Sequence, residues 1–370
     1  MDNSIKSPSN RLVSLDVMRG LIMILLAGES CLVYEALRNM HLGAGADVII
    51  EQFFHHQWHG LHLWDLVQPA FMLMAGAAMC ISYQSKLKKG ISWEQNFKHI
   101  LIRSLKLFLL GTGLHCIYSG KMVWELWNVL TQLAFTSIIA YLIINCSFWF
   151  QVIFSLLLLL ITEILYRTIL MPGFDQPFVE LHNFGAYVDT LLMGKINKDG
   201  WVAINIIPTA AHTIWGVLAG RLLITAMPAN KKVACLVVAG LAGLVLGFGL
   251  DWAHITPIIK RISTSSFVLA SGGWVLLMVA FLYWLIDVKQ VNKYAWIFIV
   301  VGMNAIFIYI FFETVGSQWF NGVVGIFVKG IADFAGIGSK LTALLAALVA
   351  LFAEWGLCYW LSKHKIFIKI

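Results

Sequence analysis

A chain of 370 residues that is 60% hydrophobic and only 12% charged lacks the charges to coat a water-facing surface of its own, since soluble chains carry about 25% charged residues. That excludes a cytosolic enzyme and a disordered protein, and leaves an all-α, polytopic transmembrane helical bundle read as a single domain over residues 1–370. The net charge of +7 arises without any Lys/Arg run interleaved with aromatics, so nucleic acid is not an expected partner and basic loops on one side of a lipid bilayer account for it.

In chain order, the polar residues 1–11 read as a short cytoplasmic tail with no cleavable signal peptide. Apolar stretches able to cross about 30 Å of hydrocarbon then recur at 12–36, 63–83, 100–118, 127–145, 148–170, 206–226, 233–250, 266–286, 295–315 and 341–361, about ten spans in all. Lys86, Lys88, Lys89, Lys98 and Arg103 mark one side, and Lys231, Lys232, Lys289, Lys293, Lys363, Lys365 and Lys369 fall on it too if the spans alternate. The positive-inside rule makes that side cytoplasmic, with both termini inside; Lys260 and Arg261 oppose the pattern. Three longer loops, at 37–62, 171–205 and 316–340, then face outward. The six cysteines are scattered without a CxxC pair and read as small buried hydrophobes.

The densest chemistry lies in FFHHQWHGLHLWDLVQP, residues 53–69, where His55, His56, His59 and His62 precede Asp65 and Pro69. An imidazole beside a carboxylate is held in one tautomer and made more basic, and histidine exchanges protons near neutral pH. The alternative use is packing at the membrane interface, which suits His and Trp. Were this segment helical, His55, His59 and His62 would share a face and resemble a zinc ligand set; Gly60 weakens such a helix and no HExxH occurs, so no metal is expected. Asp16 and Arg19 have i,i+3 spacing for an ion pair, and Glu29 and Glu313 are carboxylates within or near spans, where ionisable groups are functional candidates. Asn304 suits an interhelical hydrogen bond. Lys260, Arg261 and the hydroxyl run Ser263, Thr264, Ser265 and Ser266 suit a phosphate or an anionic headgroup.

At these residues the chain resembles the heparan-α-glucosaminide N-acetyltransferase family of the transmembrane acyltransferase superfamily, which includes NagX-like bacterial membrane acyltransferases. RLVSLDVMRGLIM resembles the family's S-x-D-x-x-R-G opening. His55-x-x-Trp58-x-Gly60-Leu61 with Asp65-Leu66-Val67-x-Pro69 resembles its H-x-x-W-x-G…D-L-[VI]-x-P block. IPTAAHTIWGVLAG, IIKRISTSSFVLASGG and VGMNAIFIYI resemble three later blocks, so the match runs from residue 11 to about 310. The resemblance implies acetyl transfer from cytosolic acetyl-CoA, a co-substrate, to the amine of glucosamine or a terminal glucosaminide across the membrane, in a multi-pass protein of a bacterial inner membrane. It implies His55 as the active-site histidine, with His56 as its near neighbour and Asp65 as its partner. It implies Glu29, Ser30, His56, Trp58 and Asn304 as acceptor-side candidates; Ser30 stands where the family often has Asn. Asp16, Arg19, Lys260, Arg261, Ser265 and Ser266 are the candidates for holding acetyl-CoA, and a second copy of the chain is a candidate partner. His55 acts either as an acyl carrier or as a general base. Two other functions fit the same residues: an amino-sugar transporter, with Asp16, Glu29 and Glu313 as coupling groups, and an O-acetyltransferase of a surface polysaccharide.

Overall fold

A computed structural model of the chain describes residues 12–368, so the expected tail at 1–11 lies outside the described residues. Among these the secondary structure is helical, with two isolated β-bridges, His59–Ile259 and Met171–Phe174. The first expected span is a bent pair, α1 (Val13–Ser30) and α2 (Val33–Met40), set at 61°. Leu32 makes the break with φ of 64°, a left-handed conformation that a leucine seldom adopts. The expected outward loop 37–62 is partly helical: the end of α2 and all of α3 (Ala44–Glu51) lie within it, and its irregular parts are 41–43 and 52–62. A short 3₁₀ turn, Leu63–Leu66, leads into α4 (Val67–Leu87).

Ser92 caps α5 (Trp93–Ser119) by accepting the Gln95 N–H, while Gln95 Oε1 returns the bond to the Ser92 N–H, a capping box that starts the helix sharply. Asn128 and Ser147 cap α6 (Val129–Leu142) and α7 (Phe148–Thr168) in a similar way. There follow α8 (Phe184–Met193), α9 (Ile206–Leu223), α10 (Ala229–Trp252) and α11 (Ser265–Leu282), the last running into a π-helical turn at Tyr283–Val288. The chain ends with α12 (Ala295–Gly302), α13 (Ala305–Phe311), a π-helical stretch Phe312–Phe320, α14 (Asn321–Phe334) and α15 (Ser339–Lys363).

Among the described residues, seven helices are long and apolar enough to cross a membrane, and up to nine spans result if each bent pair counts once; the second pair is Ala295–Gly302 with Ala305–Phe334, bent by 72°. The fourth expected span, 127–145, is the 14-residue α6, about 21 Å long and too short to cross alone. The expected loop 316–340 is instead mostly helical. Four glycines between 316 and 330 lower helix propensity, but an apolar setting obliges the backbone to satisfy its own hydrogen bonds.

The chain divides into two compact units. Among the described residues, the first combines 12–41 with Ala229–Ala234 and 278–368. In it α1 meets α12 at small residues: a Cβ on Gly20 would collide with the Phe298 carbonyl, and one on Gly302 would sit 2.6 Å from the Asp16 carbonyl oxygen. The second comprises Leu42–Pro228 and Cys235–Leu277. Here α4 and α9 approach through Gly76 and Gly216, where a Cβ would strike the carbonyls of Thr213 and Leu73; such small-residue contacts bring helix backbones together where hydrophobicity alone cannot. Cys80 is buried in the adjoining core with Tyr83, Tyr141 and Ile214. Cys31, Cys80 and Cys358 are buried as expected, whereas Cys235 is exposed, and all six thiols are free.

One end of the second unit collects the segments that precede α4, follow α5 and α7, and link α10 to α11. They are tied by Trp58 Nε1 donating to the Phe178 carbonyl at 2.8 Å, by Arg261 pairing with Glu180 at 3.1 Å, and by Lys195 pairing with Glu125 at 2.6 Å.

Candidate active site

The irregular segment 52–62 is folded by its own sequence. Gly60 has φ of 147°, and a Cβ there would lie 2.5 Å from His56 Nε2, so only glycine lets the His56 ring lie across the turn. The Gly60 N–H donates to the Ile258 carbonyl at 2.9 Å, and His59 bridges Ile259. His59 Nε2 is 2.6 Å from Asp251 Oδ1, which also accepts the Ile258 N–H at 2.9 Å. These bonds fasten the histidine segment to the chain just before Lys260.

Asp65 is fully buried in the 3₁₀ turn. Its Oδ2 accepts the His62 N–H at 2.9 Å and the His56 N–H at 3.3 Å. That leaves Oδ1 facing His55 Nδ1 at 2.9 Å and Lys260 Nζ at 3.4 Å. Lys260 Nζ also lies 2.9 Å from His55 Nδ1. A carboxylate fixed by two backbone donors is a rigid orienter for an imidazole. The imidazole of His55 is walled by Trp201, edge-on at 5.7 Å, and by Trp64 at 6.4 Å, while the Lys260 ammonium lies 5.2 Å from the Trp201 ring centre. The His55 side chain nevertheless keeps 37% of its surface exposed, and Nε2 has no hydrogen-bond partner among the described residues. Burial of the ring and then the neighbouring Lys260 charge lower the His55 pKa to about 4, against the opposing pull of Asp65. At neutral pH the site therefore holds a neutral imidazole between a carboxylate and an ammonium, with one ring nitrogen available for acid–base or nucleophilic chemistry.

His55 and Asp65, expected together, meet directly. His56 does not share that contact: its ring packs edge-on against His62 at 4.7 Å, and burial and His62 lower its pKa. The helical face required for a zinc set of His55, His59 and His62 does not form, because 52–62 is irregular and each ring has a different partner; His62 Nδ1–H donates to the Phe54 carbonyl at 3.0 Å. Trp58 packs against Gly200 as well as reaching Phe178.

Lys260, grouped from sequence with the acetyl-CoA candidates, is instead a member of the histidine site, because the Gly60–Ile258 bond draws its strand of chain onto the histidine segment. Arg261 engages Glu180 and the Asp199 carbonyl. Ser265 Oγ donates to the Leu159 carbonyl and Glu163 at 3.3 Å, tying the start of α11 to α7, and Ser266 Oγ donates to the Pro257 carbonyl at 2.7 Å, holding the α10–α11 turn. Asp16 and Arg19, in the first unit, form the expected ion pair at 3.7 Å. Also in that unit, Ser30 Oγ donates to the Phe312 carbonyl at 2.9 Å, and Tyr34 lies beside Glu29. There too the Asn304 amide is bound to the backbone of Ile366 and Ile368 at 3.1 and 3.0 Å.

Trp201, Asp251 and the placement of Lys260 escaped the sequence reading. For Lys260 a signal existed: it opposed the positive-inside pattern, and a cation at the wrong end of a span needs a local anion.

No protein-family model matches the chain. The helices and the site define an integral membrane protein with an imidazole–carboxylate–ammonium centre at one end of its second unit. The chain is 24% identical, over an alignment 437 residues long, to heparan-alpha-glucosaminide N-acetyltransferase of Mus musculus, a match covering 99% of this chain and 61% of that protein. The chain thus spans about three-fifths of the length of that curated relative.

Proposed function

We propose that this protein is a membrane-embedded N-acetyltransferase that moves the acetyl group of acetyl-CoA to the amine of glucosamine or of a terminal glucosaminide on the opposite side of the membrane. The observation that carries this reading is the neutral His55 imidazole, held at Nδ1 by buried Asp65 and flanked by Lys260. Distant similarity along almost the whole chain to a protein named as such an enzyme supports it.

The acceptor amine enters as an ammonium and gives a proton to His55 Nε2. The freed nitrogen attacks the thioester carbonyl carbon and the C–N bond forms; the C–S bond breaks, the leaving sulfur takes the proton back from the imidazolium, and the new amide nitrogen releases its second proton to solvent. Asp65 stabilises the imidazolium while it lasts. Lys260 supplies positive charge where a carbonyl oxygen becomes negative. The weak basicity of His55 favours a second route through the same ring: Nε2 attacks the thioester carbonyl carbon, the C–S bond breaks, and the thiolate leaves with the proton shed by the acetylated ring; the free amine then takes the acetyl group as the N–acetyl bond of the ring breaks, and its proton returns to the ring.

The test is transfer of labelled acetyl from acetyl-CoA to glucosamine by the purified full-length protein. His55→Ala is expected to lower the rate by about 10²–10⁴-fold at unchanged melting temperature. Undiminished transfer by that variant removes His55 from the reaction. Label retained on the protein without acceptor identifies the acetyl-imidazole route. Sugar accumulation in proteoliposomes without any donor points to the transporter, and labelling of hydroxyl acceptors alone points to O-acetylation.

A further inference from the structure

Far from the histidine site along α4, a cavity of about 420 Å³ opens between α4, α5 and α6, within the size range of small-molecule sites, about 300–1,000 Å³. Lys86, one of its lining residues, follows Asp65 by 21 residues of continuous helical chain, a rise of about 30 Å or one hydrocarbon thickness. Four basic side chains line it: Lys86, His99, Arg103 and Lys106. His99, Arg103 and Lys106 stand at i, i+4 and i+7, on one face of α5. No aspartate or glutamate is among the lining residues. Lys86 donates to buried Asn96 Oδ1 at 2.9 Å, a neutral partner that orients the ammonium without cancelling its charge. Lys86 and Arg103 are half-buried, so their fields are less screened than those of surface lysines. Earlier on α4 than Lys86, the wall is formed by Ala75, Ala78 and Met79, apolar and uncharged.

We propose that this cavity binds a phosphate-bearing ligand whose phosphates meet Lys86, Arg103 and Lys106 and whose uncharged arm runs along Ala75, Ala78 and Met79. The guanidinium fork and two ammoniums suit several phosphate oxygens at once, and the apolar stretch of the α4 wall suits a chain behind them. Two sources share this chemistry: an anionic lipid headgroup, and the phosphates of a nucleotide thioester such as acetyl-CoA. The second source deepens the acetyltransferase reading and rests on it; the site itself does not, and binding is measured here without any turnover.

The full-length protein in nanodiscs is titrated with coenzyme A, and phosphatidylglycerol retained by the purified protein is counted by native mass spectrometry. Arg103→Gln with Lys106→Gln is compared with wild type and with Lys121→Gln, a control outside the cavity. A fall in coenzyme A affinity of at least about tenfold in the double variant, with the control unchanged, supports the site with the nucleotide as source. Unchanged coenzyme A binding with loss of retained phosphatidylglycerol supports it with the lipid as source. Neither change, in a double variant that keeps the wild-type melting temperature, overturns the proposal. Should the double variant fail to fold, inorganic pyrophosphate added to the wild type is expected to displace bound coenzyme A or phosphatidylglycerol, and absence of displacement overturns it.

Discussion

His55 Nδ1 has two partners at 2.9 Å and can satisfy one at a time. As N–H it donates to Asp65 and leaves Nε2 basic; as a lone pair it accepts from Lys260 and Nε2 carries the proton. Lys260 and Asp65 therefore pull the ring in opposite directions, and their removal has opposite signs. Lys260→Met deletes a charge that lowers the His55 pKa, so the pKa rises from about 4 toward 6.5. The acid limb of kcat/KM against pH should move up with it, while a merely structural defect would lower the whole profile without shifting it. Asp65→Asn deletes an influence that raises the pKa, so the acid limb should not move up, and the rate should fall by about 10²-fold or more because the tautomer is no longer selected. Nitrogen NMR of labelled His55 checks both variants without reference to activity. The His55–Asp65 half of this site was legible because ten residues separate the pair. Lys260, 205 residues from His55, comes to it only through a backbone bond between Gly60 and Ile258 that no local pattern encodes.

Among elements, α4 is the common part: its entry turn holds Asp65, its middle packs on α9, and its far end carries Lys86. Its seat on α9 depends on glycines whose backbones touch the neighbouring helix. Gly216→Val would drive a branched side chain into the Leu73 carbonyl and force the helices apart. The expected loss is about 1–3 kcal/mol, read as a lowered melting temperature in detergent, with Gly113→Ala, where a Cβ meets nothing within 4 Å, as a near-neutral comparison. Span positions were legible from apolar runs alone, since lipid demands about 20 apolar residues per crossing. Span shape was not. The bend at Leu32 is a left-handed residue inside an otherwise helical run, and α6 stops at Leu142 although the apolar Ile143 and Ile144 follow it. Helical order through 316–334 was masked by glycines that weaken a helix in water more than in lipid. Glu354 was missed for the opposite reason: it is buried in α15 of the first unit as one acidic residue in a long apolar run, whereas the carboxylates singled out from sequence stood near span ends or in motifs.

At the scale of the whole molecule, the proposed reaction needs donor and acceptor to meet although they approach from opposite sides. The second unit has two chemically different ends. One holds His55, Asp65 and Lys260 with the segments around 120–128, 171–205 and 253–264; the other holds the α4–α5 turn with Lys86, Lys88 and Lys89. Span-length helices such as α4 and α5 run between them. If the basic end faces the cytoplasm, Lys88 and Lys198, both exposed, lie on opposite sides of the membrane. In a cysteine-free background, Lys88→Cys should react with a membrane-impermeant maleimide only in inverted vesicles, and Lys198→Cys only in intact cells. Labelling of both from one side would place the two ends on the same face, and a route for the acetyl group along α4 would lose its basis. Opposite labelling, together with acetyl transfer to an acceptor supplied only on the Lys198 side from acetyl-CoA supplied only on the Lys88 side, would show that the acyl group, rather than the sugar, makes the crossing.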